Sequence, residues 1–166
     1  VNGEEKSLEA VLPIVKEHNA AVIGLTIGEG GISNDPEKRL EAARKIIERA
    51  AQIGIPIEDI VIDPLVMTVG ADSSAGLVTL TTIELVRREF GVNVNLGASN
   101  VSFGLPERDV INQAFLALAI GAGATCAITD PMKYSLTLKA IDLLRGRDSY
   151  GAKYLKYYRA HAPEKV

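Results

Sequence analysis

Val92 to Pro106 reads VNVNLGASNVSFGLP. Val92, Val94 and Leu96 alternate with Asn93 and Asn95, the pattern of a strand with two unlike faces. Gly97, Ala98 and Ser99 follow, small enough for a tight turn or a close approach to a ligand, and then comes Asn100, whose carboxamide both donates and accepts. Pro106 suits the first turn of the next helix. A strand that ends in a polar side chain just before a helix is where α/β enzymes keep their chemistry. The simpler alternative is a loop that only caps its helix, with Asn100 bonded to nearby backbone.

Outward from this stretch the same unit recurs. AAVIGLTI (Ala20–Ile27) is a short apolar run, expected as a parallel strand buried on both faces. DIVIDPLV (Asp59–Val66) is a second strand, VNVNLGAS a third and ATCAIT (Ala124–Thr129) a fourth. A helix over Ser7–His18 precedes them, with Pro13 expected to kink or restart it. Asp35 and Pro36 open a helix carrying Leu40, Ala43, Ile47 and Ala50 that stops at Gly54. Leu77, Leu80, Ile83, Val86 and Phe90 mark the apolar face of the next. The helix from Pro106 to about Gly121 is apolar on most sides and expected to be well buried. A helix with Leu138, Ile141 and Leu144 and a tyrosine-bearing one near Tyr150–Arg159 complete the chain. Strand and helix alternate without a linker, so the expectation is one α/β domain with a parallel sheet. The outer runs, Ala20–Ile27 and Ala124–Thr129, carry neither charge nor proline and are expected to be unprotected edges.

Composition sets limits. With 166 residues, 47% of them hydrophobic and 23% charged, the chain resembles ordinary globular proteins. A net charge of −3 gives no electrostatic footprint for nucleic acid. No apolar run is long enough for a membrane span and no leader is visible, so the expected location is cytoplasmic. Cys126 is the single cysteine, which excludes an internal disulfide and a cysteine-based metal cluster, and its apolar neighbours suggest a core position.

The run Gly97, Ser99, Asn100, Val101, Ser102, with Arg108, Ile111, Asn112, Phe115 and Leu116 behind it, resembles the seventh-strand region of pterin-binding methyltransferases. These are the methyltetrahydrofolate:corrinoid methyltransferases and the folate domain of cobalamin-dependent methionine synthase. Four strands do not close a parallel barrel, which needs eight. The resemblance implies a (β/α)8 TIM-barrel type of fold, of which residues 1–166 are the C-terminal half, strands five to eight. It implies methyl transfer from methyltetrahydrofolate, the substrate, to Co(I) of a corrinoid (cobalamin) carried by a partner protein. It also implies a homo-oligomer, a homodimer for example, or a chain that needs its N-terminal half. The family's third-strand Asp and fourth-strand Asn would lie upstream of Val1. Two rivals stand beside this reading. One is a non-catalytic half-barrel module. The other is dihydropteroate synthase, which would show a Gly-x-Ser-Arg-Lys run where this chain has Gly97–Val101.

Polar groups recur at strand ends: Thr26 and Glu29, Asp63, Asn100 and Asp130. Asp63 lies inside an apolar run, where a carboxylate needs a partner; its own loop amides or a ligand's paired N–H groups would serve. The resemblance gives Asp63 the pterin's amino and ring N–H donors and gives Asn100 the catalytic position beside the methyl-bearing nitrogen. Gly97, Ser99, Ser102, Arg108 and Asp130 are the further substrate-binding candidates; Ser99 and Ser102 could equally shape the loop, Arg108 face solvent and Asp130 cap a helix. No metal ligands are expected. The Gly28–Gly31 cluster lacks the Lys-Ser/Thr of a phosphate loop.

Overall fold

The computed structural model describes residues 1–161; the remainder of the expected domain, 162–166, lies outside the described residues. The chain forms two compact units, Val1–Ile128 and Thr129–Val166, although no composition shift marks a boundary there.

The first unit is built on a parallel sheet in the order β1 (Val22–Leu25), β2 (Ile60–Asp63), β3 (Asn93–Val94). Its helices are α1 (Glu5–Glu17), α2 (Pro36–Gln52), α3 (Ala75–Phe90) and α4 (Arg108–Ala122). The register pairs Val22 with Ile60 and Leu25 with Asp63, then Val61 with Asn93 and Ile62 with Val94. Alternation therefore sorts the sheet into two faces. Val22, Gly24, Ile60, Ile62 and Val94 are buried on one. Gly24 belongs there because a Cβ at that position would lie 3.0 Å from Ile46 Cγ2 of α2, so its absence lets the helix sit close to the strand. The other face carries Ile23, Val61 and Asn93, then Leu25, Asp63 and Asn95. Ile23 is 47% exposed there, which corrects the expectation that the strand is buried on both faces. α2 packs on β1 and α3 on β3.

The helices follow their apolar periodicity with some shifts. α2 is capped by Asp35, which accepts from Glu37 N–H, and it buries Leu40, Ala43, Ile46, Ile47 and Ala50. α1 runs unbroken through Pro13. The position is exposed, as is Glu9, so the carbonyl that loses its intrahelical bond there faces water. The buried stripe of α3 is rotated from the one expected. Leu77 is 67% exposed, while Thr79 and Thr82 are buried with their hydroxyls bonded to the carbonyls of Ala75 and Val78. α4 starts at Arg108 rather than Pro106, after Glu107 in the left-handed region. It buries only Asn112, Phe115, Leu116 and Ala119, and leaves Val110 and Leu118 exposed, because one side alone faces α3 and the preceding loop.

The third and fourth strands are shorter than expected. β3 is two residues long, and Ala98–Ser102 coils into a 3-10 turn instead of extending the strand. Residues 124–128 lie beside β3, with Ile128 N–H bonded to the Leu96 carbonyl at 2.8 Å, yet they form an isolated bridge and no regular strand. The reason is local: Thr125 and Cys126 amides both aim at the Val94 carbonyl, and the Thr125 hydroxyl takes Val94 N–H. A side chain thus replaces a backbone rung. Cys126 is exposed, not a core residue. The expected bare edge of β1 is partly covered, since Leu25 N–H donates to the Val1 carbonyl and Gly3 N–H to that of Ile27.

The second unit packs α5 (Pro131–Leu144) against α6 (Ala152–His161). The tyrosine helix begins two residues later than expected, because Asp148 caps it through Lys153 and Tyr154 N–H. Lys139 lies over the Tyr157 ring, which stacks on His161; Tyr150 and Tyr158 are exposed. No described helix is long and apolar enough to cross a membrane.

Candidate functional site

Asp63 is the last residue of β2 and stands on the open face of the sheet, half-buried. One oxygen, Oδ1, accepts the N–H of Leu65 at 2.9 Å; the other, Oδ2, accepts from Asn95 Nδ2 at 3.2 Å. Burial pushes its carboxyl above the usual range, and these two donors oppose the shift. Each oxygen keeps a second lone pair, so the carboxylate can still take two adjacent N–H groups from a ligand.

Asn95 is the side chain that meets the Asp63 carboxylate from β3's extension. It appeared as a polar position on the β3 strand; only the register shows that it lies beside Asp63. It is buried, so its carboxamide is fixed.

Asn100 stands in the 3-10 turn, exposed, with its backbone engaged: its N–H reaches the Gly97 carbonyl, and Phe103 N–H reaches its own. Among the described residues no hydrogen bond holds its carboxamide. Gly97 makes room for it, because a Cβ there would lie 3.0 Å from Asn100 Nδ2. Arg108 closes the turn from α4. Its Nε donates to Ser102 Oγ at 3.0 Å, its Nη2 to the Ser99 carbonyl at 2.8 Å, and it lies over the Phe103 ring. Ser102 is fully buried, with its Oγ also 2.7 Å from Asn112 Oδ1. Arg108, Ser102 and the Ser99 carbonyl thus brace the loop that displays Asn100. This turn is tied to the loop after Asp63: Val69 N–H donates to the Val101 carbonyl and Thr68 Oγ1 to that of Phe103.

The other strand-end groups are used differently. Thr26, at the end of β1, is 1% exposed, its backbone N–H bonded to the Asp63 carbonyl and its Oγ1 without a partner in the described chain. Glu29 is turned to the Glu5 amide and Lys45, which hold its carboxyl below the usual range. The glycines after it form a tight turn, with Gly28 and Gly31 bonded to each other, beside a cavity of about 600 Å³ reached also by Thr26, Lys38 and Lys45. Asp130 belongs to the second unit, where its carboxylate accepts Met132 N–H at 2.9 Å and caps α5. Among the described residues no three His, Cys, Asp or Glu are grouped to hold a metal.

A family model described as pterin binding enzyme matches residues 1–130. The chain is 30% identical over 164 residues to the methylcorrinoid:tetrahydrofolate methyltransferase of Eubacterium limosum, covering 96% of this chain and 60% of that protein. It is 36% identical over 140 residues to methionine synthase of Mycobacterium tuberculosis, covering 80% of this chain and 12% of that one, and likewise to that of Mycobacterium leprae. It therefore spans less than two thirds of the length of these relatives. With a half-buried carboxylate and a free carboxamide on adjoining strand-end loops, and with this match over residues 1–130, the chain belongs to the pterin-binding enzymes and is similar to their methyltransferases.

Proposed function

We propose that this chain is the C-terminal half of a (β/α)8 methyltransferase domain, contributing its strands five to eight. The complete protein moves a methyl group from methyltetrahydrofolate to Co(I) of a corrinoid held by a partner protein. The observation that carries this reading is Asp63: a half-buried carboxylate on the open face of the sheet, steadied by Leu65 and Asn95, with lone pairs left for a ligand. A pterin offers an amino group and a ring N–H side by side, which a carboxylate accepts together. The similarity to two kinds of methyltransferase supports the same ligand class.

The chemistry assigns the roles. A methyl group on a tertiary amine leaves poorly, because the bond's electron pair stays on nitrogen. Protonation of that nitrogen relieves the charge. Asn100, whose carboxamide is unengaged, serves as the hydrogen-bond partner that strengthens as charge develops there. It orients the network that brings the proton and is not itself the acid. Gly97 keeps the space, and Ser99, Ser102 and Arg108 hold the loop at the pterin's outer part. Asp130 is the remaining candidate, with its cap on α5 as its observed use.

The name of the Eubacterium relative places the methyl group on the corrinoid and favours the reverse direction as a second reading. Single-turnover assays of the complete gene product decide both. Co(I) cobalamin with methyltetrahydrofolate, and methylcobalamin with tetrahydrofolate, are followed by the corrinoid spectrum. Transfer in either direction is the expected result. A folded, complete protein that binds no tetrahydrofolate would overturn the proposal.

A further inference from the structure

Arg39 is 1% exposed in the first turn of α2, and among the described residues no carboxylate pairs with it. A buried guanidinium is costly unless it is compensated; here backbone carbonyls engage Nε and Nη1, and Nη2 has no partner among the described residues. Nε donates to the Ser33 carbonyl at 2.6 Å, and Nη1 donates to the carbonyls of Pro64 at 2.6 Å and Leu65 at 2.8 Å. Ser33 lies in the loop after β1, and Pro64 and Leu65 directly follow Asp63. Leu65 has φ +62, the left-handed region that a side chain other than glycine adopts at a cost. Its carbonyl also accepts from Thr79 Oγ1 at 3.1 Å, and its N–H is the donor to Asp63 Oδ1.

We propose that Arg39 is the positioning residue for Asp63: its Nη1, donating to both the Pro64 and Leu65 carbonyls, holds Leu65 in the left-handed turn that aims its N–H at Asp63 Oδ1. This rests, for its functional consequence, on the reading that Asp63 binds the pterin. Arg39 acts through the backbone and makes no bond to Asp63. A lysine keeps the charge but has one nitrogen where arginine uses Nε on Ser33 and Nη1 on Pro64 and Leu65, so it does not replace arginine here.

The test separates the structural link from its use. In the complete protein, the Asp63 carboxyl is titrated by carbon NMR in wild type, Arg39→Gln, Arg39→Lys and Thr79→Val. Loss of the Leu65 N–H leaves burial less opposed, so the Asp63 titration moves upward in both Arg39 variants and less far in Thr79→Val. Tetrahydrofolate affinity falls roughly tenfold in Arg39→Gln, as for a hydrogen bond to a charged group. That loss disappears when Asp63→Asn is already present. If Arg39→Gln does not fold, Thr79→Val still reports on the turn. An unmoved Asp63 titration in the folded variants overturns the inference, and so does a tenfold loss that persists in full on Asp63→Asn. A moved titration with unchanged tetrahydrofolate affinity upholds the link and refutes the pterin role of Asp63.

Discussion

Single side chains separate stability from use at this site. Asn100 makes no side-chain bond within the described chain, so its removal leaves the fold intact. We expect Asn100→Ala to melt as wild type does and to slow single-turnover methyl transfer by about a hundredfold, the cost of losing one hydrogen bond made in the transition state. An unchanged rate at saturating pterin refutes its role. Asp63 behaves oppositely. Its folded carboxyl titrates above the ordinary range, so ionising it in the native state opposes folding. The penalty is absent below about pH 4, where the group is protonated folded or unfolded, and grows as pH rises through the raised value. Asp63→Asn removes the charge, keeps an acceptor for Leu65 N–H, and keeps the Asn95 bond once the Asn95 carboxamide turns over so that its oxygen accepts. It is therefore expected to melt no lower than wild type at neutral pH, with any gain vanishing in acid, while pterin affinity drops about tenfold to a hundredfold. Calorimetric melts across pH, with pterin titrations beside them, check both halves.

At the scale of the element, the turn Ala98–Ser102 is a display held from two sides. Arg108 reaches back from α4 to Ser102 and Ser99, and the loop after β2 bonds the Val101 and Phe103 carbonyls. Gly97 has φ −78, which an L residue adopts freely, so its value is space and not conformational freedom. Gly97→Ala brings a methyl group to 3.0 Å from Asn100 Nδ2, at the free end of a side chain that can swing away. The expected result is stability within about 0.5 kcal/mol of wild type, typical of substitutions without a lost contact. Transfer is reduced nearly as far as in Asn100→Ala, and the two losses are not additive. Full activity in Gly97→Ala would show that the carboxamide's present position is not the working one.

For the molecule as a whole, the open face of the sheet sets behaviour in solution. Ile23 is 47% and Ile128 66% exposed, and among the described residues the outer edge of β1 is covered by residues 1–3. On the proposal that residues 1–166 are one half of a barrel, they are expected, expressed alone, to self-associate and to bind tetrahydrofolate weakly, and co-expression with the proposed other half to restore solubility and binding. A monodisperse monomer in sedimentation that binds tightly would contradict this. The sequence by itself determined the alternation of helix and strand, the cap at Asp35, the apolar faces of α1 and α2, and the loop motif around Asn100, because these depend on neighbours a few residues apart. Only the tertiary structure decided that Asn95 meets Asp63, that Arg39 is buried among carbonyls of two loops, and that residues 124–128 give up a regular ladder to a threonine hydroxyl. Each of those depends on strand register or on a contact between residues more than twenty positions apart. Local periodicity carries no information about either: it tells which side of an element is apolar, not which neighbour it meets.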